Sequence, residues 1–155
     1  MITVISLFED YVPKQKFDTI IMAHILEHVK HPLLLLKRAK QWLEKDGILL
    51  VDVPNANSLH RQIGVKMGLL KTVTDLNKTD IQIGHRRVYT LAYLKKDILD
   101  AGFKILKTGG IFLKPISNKQ IEETWNKDII NAFYELGKEY QSIDAEIYIV
   151  CTLKN

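Results

Sequence analysis

Cysteine is nearly absent from this chain: Cys151 stands alone, so no disulfide can form within it, and a reducing cytosol is the expected setting. No apolar run approaches the ~20 residues of a membrane span. The start, MITVISLFEDY, lacks the basic flank and long apolar stretch of a signal peptide, so no membrane association is expected. Charge of one sign is never concentrated: 22 Lys and Arg against 18 Asp and Glu leave a net +4 that is scattered, with His85-Arg86-Arg87 as its tightest basic cluster. There is no repeat, no low-complexity segment and no zinc-finger or RNP pattern, so nucleic acid is not the expected main partner. Glycine is also sparse, and the one adjacent pair, Gly109-Gly110, lies late in the chain.

The 155 residues, 46% hydrophobic and 26% charged, fit one domain that buries about two thirds of its extended-chain surface. Residues 20–23 (IIMA) form an apolar run too short for a globular helix, and they read as a strand buried on both faces of a parallel sheet. The chain turns polar at once, gathering His24, Glu27 and His28 where that strand would end. In open α/β sheets ligands bind beyond the carboxyl ends of the strands, so chemistry is expected there.

The β-branched residues 2–7 suggest a short buried strand. Pro32 suits a first helical turn, Leu35, Leu36, Ala39, Trp42 and Leu43 share one helix face, and Asp46-Gly47 reads as the helix end before a buried strand from Ile48. Ser58 or Asn57 would cap a helix running toward Gly68, and residues 71–84 read as a loop or lid. Thr90 caps the next helix and Gly102 closes it. Residues 104–108 and 111–113 are strand-like, broken by the glycine pair. Ser117-x-x-Gln120 is a capping box for one long helix with a core stripe of Ile121, Trp125, Ile129, Phe133, Leu136 and Tyr140. Residues 146–153 alternate as a final strand.

FDTIIMAHILEHVKHP, then LLLLKRAKQWLEKDG, then ILLVDVPNANSLHR resemble the fourth strand, fourth helix and fifth strand of a class I S-adenosylmethionine-dependent methyltransferase. The most specific parts are FD before HILEH, W-L-x-x-D-G before the strand, and V-P-N-A-N after it. The resemblance implies a partial Rossmann-like α/β fold: a mixed sheet with an antiparallel last strand and helices on both faces. It also implies that the chain starts at the family's third strand. The Gly-rich turn and the acidic residue ending the second strand are both missing, so the single domain 1–155 is expected to be N-terminally incomplete, with residues 55–89 as an insertion over the acceptor site.

By the same resemblance the cofactor is S-adenosylmethionine. Leu7, Phe8 and Glu9 would touch its adenine, and Ala23, His24 and His28 its methionine part. His24, His60 and His85 are the candidate catalytic bases, with Arg61, Lys66 and Met67 as further pocket residues and a small-molecule or sugar acceptor. The alternative is a non-catalytic methyltransferase-like binding or scaffold domain. A metal held by His24, Glu27, His28 and His60 is chemically conceivable from the i, i+4 histidines, but no metal is expected. In the family's strand order, 3-2-1-4-5-7-6, missing strands one and two leave the central strand with an open edge. An antiparallel rearrangement there, or a homodimer through that edge, is the expected outcome.

Overall fold

The computed structural model describes residues 5–8 and 10–154. Four strands, β1 (Phe17–Ala23), β2 (Leu43–Pro54), β3 (Phe103–Ile111) and β4 (Glu146–Leu153), form one sheet in the order β1-β2-β4-β3. β1 and β2 are parallel, while β4 runs antiparallel to both β2 and β3. In the family's numbering this is 4-5-7-6, the mixed Rossmann-like sheet that the resemblance implied. The helices are α1 (Pro32–Trp42), α2 (Leu59–Lys66), α3 (Lys78–Gln82), α4 (Leu91–Asp100), α5 (Asn118–Thr124) and α6 (Lys127–Gly137).

Strand alternation decides where the core sits. Leu49, Val51 and Val53 of β2 lie in register with Cys151, Ile149 and Ile147 of β4, and all six are buried. Leu35, Leu36 and Ala39 of α1 and Leu94, Ile98 and Ala101 of α4 join them in one cluster. Removing the fully buried Leu36 side chain to Cβ would cost about 2–5 kcal/mol. The opposite face is more open: Ile21 is 64% exposed and Ala23 is exposed, so β1 is buried on one face rather than two. Among the described residues nothing pairs with the outer edge of β1, and the antiparallel rearrangement is not seen. Ile5, Ser6 and Leu7 are irregular and exposed rather than a buried strand, while Ile2 to Val4 lie outside the described residues.

Three boundaries differ from expectation, each for a local reason. α1 stops at Trp42, because Leu43 is already extended (φ −82°, ψ 143°), and Gly47 sits inside β2 rather than ending the helix. A Cβ at Gly47 would stand 3.1 Å from the Phe17 carbonyl oxygen, so glycine is used for a close approach where the β1–β2 register shifts between Phe17 and Thr19. β3 runs through Gly109-Gly110 without a break, and its irregularity lies between Ile105 and Lys107. The pair makes room for neighbours, since a Cβ on Gly109 would lie 2.5 Å from Tyr148 Oη.

The long helix from Ser117 is two helices, because Trp125 is extended and Asn126 caps α6 through the Ile129 N–H. Its expected core stripe is largely surface: Ile129, Leu136 and Tyr140 are exposed, and the aromatics form their own cluster, with Phe112 4.6 Å from Tyr134 and Trp125 4.4 Å from Phe133. The expected loop 71–84 contains α3, started by a reciprocal Asn77–Asp80 capping box. The Ser117 box, the Thr90 cap and the left-handed Gly102 (φ 86°) are as the sequence predicts.

Candidate active site

The turn that follows β1 is built from backbone strain and buttressing. His24 has φ 52°, a left-handed conformation rare outside glycine, and its N–H donates to the Asp52 carbonyl at 3.0 Å. Leu26 and Glu27 are completely buried behind it. Arg87 clamps the turn: Nη1 donates to the carbonyls of Leu26 (2.7 Å) and Val29 (2.6 Å), and Nη2 to that of Lys30 (3.2 Å). Arg86 adds its backbone N–H to Glu27 (2.8 Å) and Nε to His28 (2.9 Å). His24 and His28 therefore sit on a strapped turn rather than on a helix face.

His24 is ringed by acids. Its Nδ1 lies 3.2 Å from Glu27 Oε1, and its Nε2 lies 3.2 Å from Glu146 Oε1 and 3.5 Å from Asp52 Oδ2. Glu146, then Glu27, push the imidazole up to about 10, and a histidine held protonated is a donor and charge, not a proton acceptor. Burial and the neighbouring Glu146 push Asp52 up to about 6. A cation flanked by three carboxyl groups leaves surplus negative charge. That suits a cationic group of a ligand better than an anionic one.

His60, at the start of α2, donates its backbone N–H to the Lys114 carbonyl at 3.1 Å. Burial, with Lys114 and Arg61 nearby, lowers it to about 4, so it is neutral, and its buried Nδ1 has no hydrogen-bond partner. Burial also lowers Lys114. His85 Nδ1 lies 3.4 Å from Asp80 Oδ1, and Arg61 Nη1 bonds Asp80 Oδ2 at 3.0 Å. Arg61 also donates to the Val73 and Asp75 carbonyls, so this buried residue straps the segment after α2 while lining the cavities beside it.

His24, His60 and His85, far apart in sequence, line one cavity of about 470 Å³ with Asn55, Lys114 and Glu146. A neighbouring cavity of about 390 Å³ shares His60 and adds Ile63 and Met67, whereas Lys66 lines neither. Ala23 and His28 flank the same end of β1, with Ala23 aligned with Asp52 of β2. Leu7 and Phe8 are exposed and line neither cavity. The Leu7 carbonyl accepts from Tyr11 N–H, and Tyr11 packs on Trp42 at the far end of α1 (5.6 Å). Glu9 lies outside the described residues. Leu7 and Phe8 thus stand apart from the end of β1 where Ala23, His24 and His28 gather.

Asp52, Lys114, Asp80, Arg87 and Glu146 escaped the sequence reading as site residues. Asp52 carried a signal, an acid inside the apolar run ILLVDV; the others become neighbours only through sheet register and loop packing.

The known proteins to which the chain is similar point the same way. A stretch of 42 residues is 38% identical to (S)-coclaurine N-methyltransferase of Papaver somniferum, covering 27% of this chain and 12% of that enzyme. A SAM-dependent methyltransferase from Thermotoga maritima shares the fold with TM-score 0.62 at 20% identity, over 96% of this chain and 62% of that one. One from Mesorhizobium loti gives 0.60 at 13% identity, over 95% and 67%. Magnesium protoporphyrin IX methyltransferase from Synechocystis, solved with bound SAH, gives 0.53 at 14%, over 96% and 49%. The chain thus spans about three fifths of the Thermotoga protein. The family profile described as a methyltransferase domain matches residues 4–108, and the chain belongs to that S-adenosylmethionine-dependent family.

Proposed function

We propose that this chain forms the acceptor side of a methyltransferase that moves a methyl group from S-adenosylmethionine to a small molecule or a sugar hydroxyl. The observation that carries the reading is the convergence of His24, His60 and His85 on one cavity at the carboxyl ends of β1 and β2. When bound, the cofactor supplies a methyl group already activated on a sulfonium, so the protein has to align the acceptor and take up its proton. His60 is the imidazole held neutral, and from the cavity wall it accepts the hydrogen bond of the acceptor hydroxyl. His24, held cationic between carboxylates, positions rather than deprotonates.

A non-catalytic binding domain is the second reading, favoured by the exposure of Leu7 and Phe8 away from the cavity. Calorimetric titration of the chain with S-adenosylhomocysteine separates them. Micromolar binding, weakened by His24→Ala, supports the enzyme reading, and no heat from a folded chain supports the binding domain. A homodimer through the outer edge of β1, where Ile21 is 64% exposed, completes the proposal. Sedimentation of the wild type should show a dimer that Ile21→Lys dissociates, and a monomer at all concentrations would remove this part.

A further inference from the structure

Glu27 is fully buried, 0% exposed, yet neither carboxylate oxygen has a hydrogen-bond partner. Buried charges are ordinarily paired or coordinate a metal; Glu27 faces the His24 imidazole on Oε1 alone, at 3.2 Å, and its Oε2 is left with no partner. Two further imidazoles stand beside it. His28 Nε2 lies 4.0 Å from Glu27 Oε1, and the His85 ring stands edge-on to His28 with centroids 4.7 Å apart. One ligand atom from each of Glu27, His28 and His85 lies within 4.8 Å of the other two.

We infer that Glu27, His28 and His85 form a binding site for a divalent transition-metal ion of the Zn²⁺ class, with a coordination position open toward the cavity that His85 lines. Two imidazoles and one carboxylate are a donor set that suits such ions and leaves a position for water or a ligand oxygen. Ligand atoms ~2.1 Å from a tetrahedral ion stand ~3.4 Å apart. The 4.0 Å gap between His28 and Glu27 therefore has to close by about 0.6 Å, which a turn of the His28 side chain, 37% exposed, supplies.

The surroundings hold the ligands from behind. Asp80, fixed by Arg61 at 3.0 Å, stands 3.4 Å from His85 Nδ1, the side away from an ion bound at Nε2. His24 Nδ1 stands 3.2 Å from Glu27 Oε1, and Arg86 and Arg87 hold the turn by its carbonyls. A second triad, His24, Asp52 and Glu146, also has ligand spacing. There, however, both nitrogens of His24 already face carboxylates, so the group is self-compensated.

The inference stands apart from methyl transfer, because the readout is metal uptake alone. Calorimetry of the metal-free chain with Zn²⁺, and Co²⁺ absorption as a geometric probe, should give one ion per chain and d–d bands of low coordination number. Glu27→Gln and His85→Ala should each weaken binding by at least ~10-fold, since even outer-shell changes cost that much, while Glu146→Gln leaves it within about threefold. Imidazole ¹⁵N spectra of the wild type need no variant to fold: Zn²⁺ should shift His28 and His85 and leave His31 and His60 in place. No uptake by the folded chain at millimolar Zn²⁺, shifts at other histidines, or loss in Glu146→Gln with binding kept in His85→Ala would each overturn the site.

Discussion

Asn55, the first asparagine of V-P-N-A-N, offers the sharpest test of how the cavity is held. It is 1% exposed, and its Nδ2 donates to the carbonyls of Ser142 (3.1 Å) and Asp144 (2.9 Å) while its Oδ1 accepts from the Asn57 N–H (2.9 Å). One side chain thus ties the end of β2 to the approach to β4. Asn55→Ala removes three hydrogen bonds, each worth about 1 kcal/mol net, and strands the carbonyl of buried Asp144. The expected loss is about 2–4 kcal/mol, or roughly 5–15 °C in Tm for a domain of this size. Asn55→Asp keeps the acceptor but aims a carboxylate at two carbonyl oxygens, so it should be at least as damaging. Urea unfolding reads both: Cm should fall while m stays constant. A loss below about 1 kcal/mol in Asn55→Ala, or an Asn55→Asp as stable as wild type, would refute this account of the β2–β4 tie.

Other outcomes follow from single contacts. Arg87→Lys leaves one ammonium for three carbonyls of the turn, and denaturation should show a loss of about 1–2 kcal/mol. His60 is lowered from 6.5 to about 4 in the folded chain, so the unfolded state binds the proton first as pH falls. Its contribution is therefore complete above about pH 6.5 and lost between there and pH 4, at most about 3 kcal/mol, and His60→Gln should flatten that part of the stability profile. Gly110→Ala would drive a Cβ into the Gln141 carbonyl and to 2.6 Å from Asp144 Oδ2, and thermal unfolding should register about 1–3 kcal/mol.

Much of the fold could be read from periodicity and caps. β1, β2, β4, α1 and α4 each announce themselves through an apolar run or a 3.6-residue face with a recognisable start, such as Thr90 or Pro32. Errors arose where glycine served sterics rather than conformation: Gly47 and the Gly109-Gly110 pair look like punctuation but exist for close approach, which only the partner strand reveals. The stripe along residues 121–140 misled because Trp125 interrupts it and its aromatics pack on Phe112 rather than on the sheet. At the site, the histidines were visible as residue types, but their electrostatic characters were not. His24 and His60 are pushed in opposite directions, the first by Glu146, more than a hundred residues away in sequence, and the second by burial.

On the proposed function, the methyl donor and the acceptor meet in the cavity at the carboxyl ends of β1 and β2. Backbone amide spectra of the ¹⁵N-labelled chain, recorded while S-adenosylhomocysteine is added, test it most directly. Saturable shifts are expected at Ala23, His24, His28 and Asn55, with little change along α6. Shifts absent from those residues, or confined to the aromatic cluster around Trp125, would contradict it.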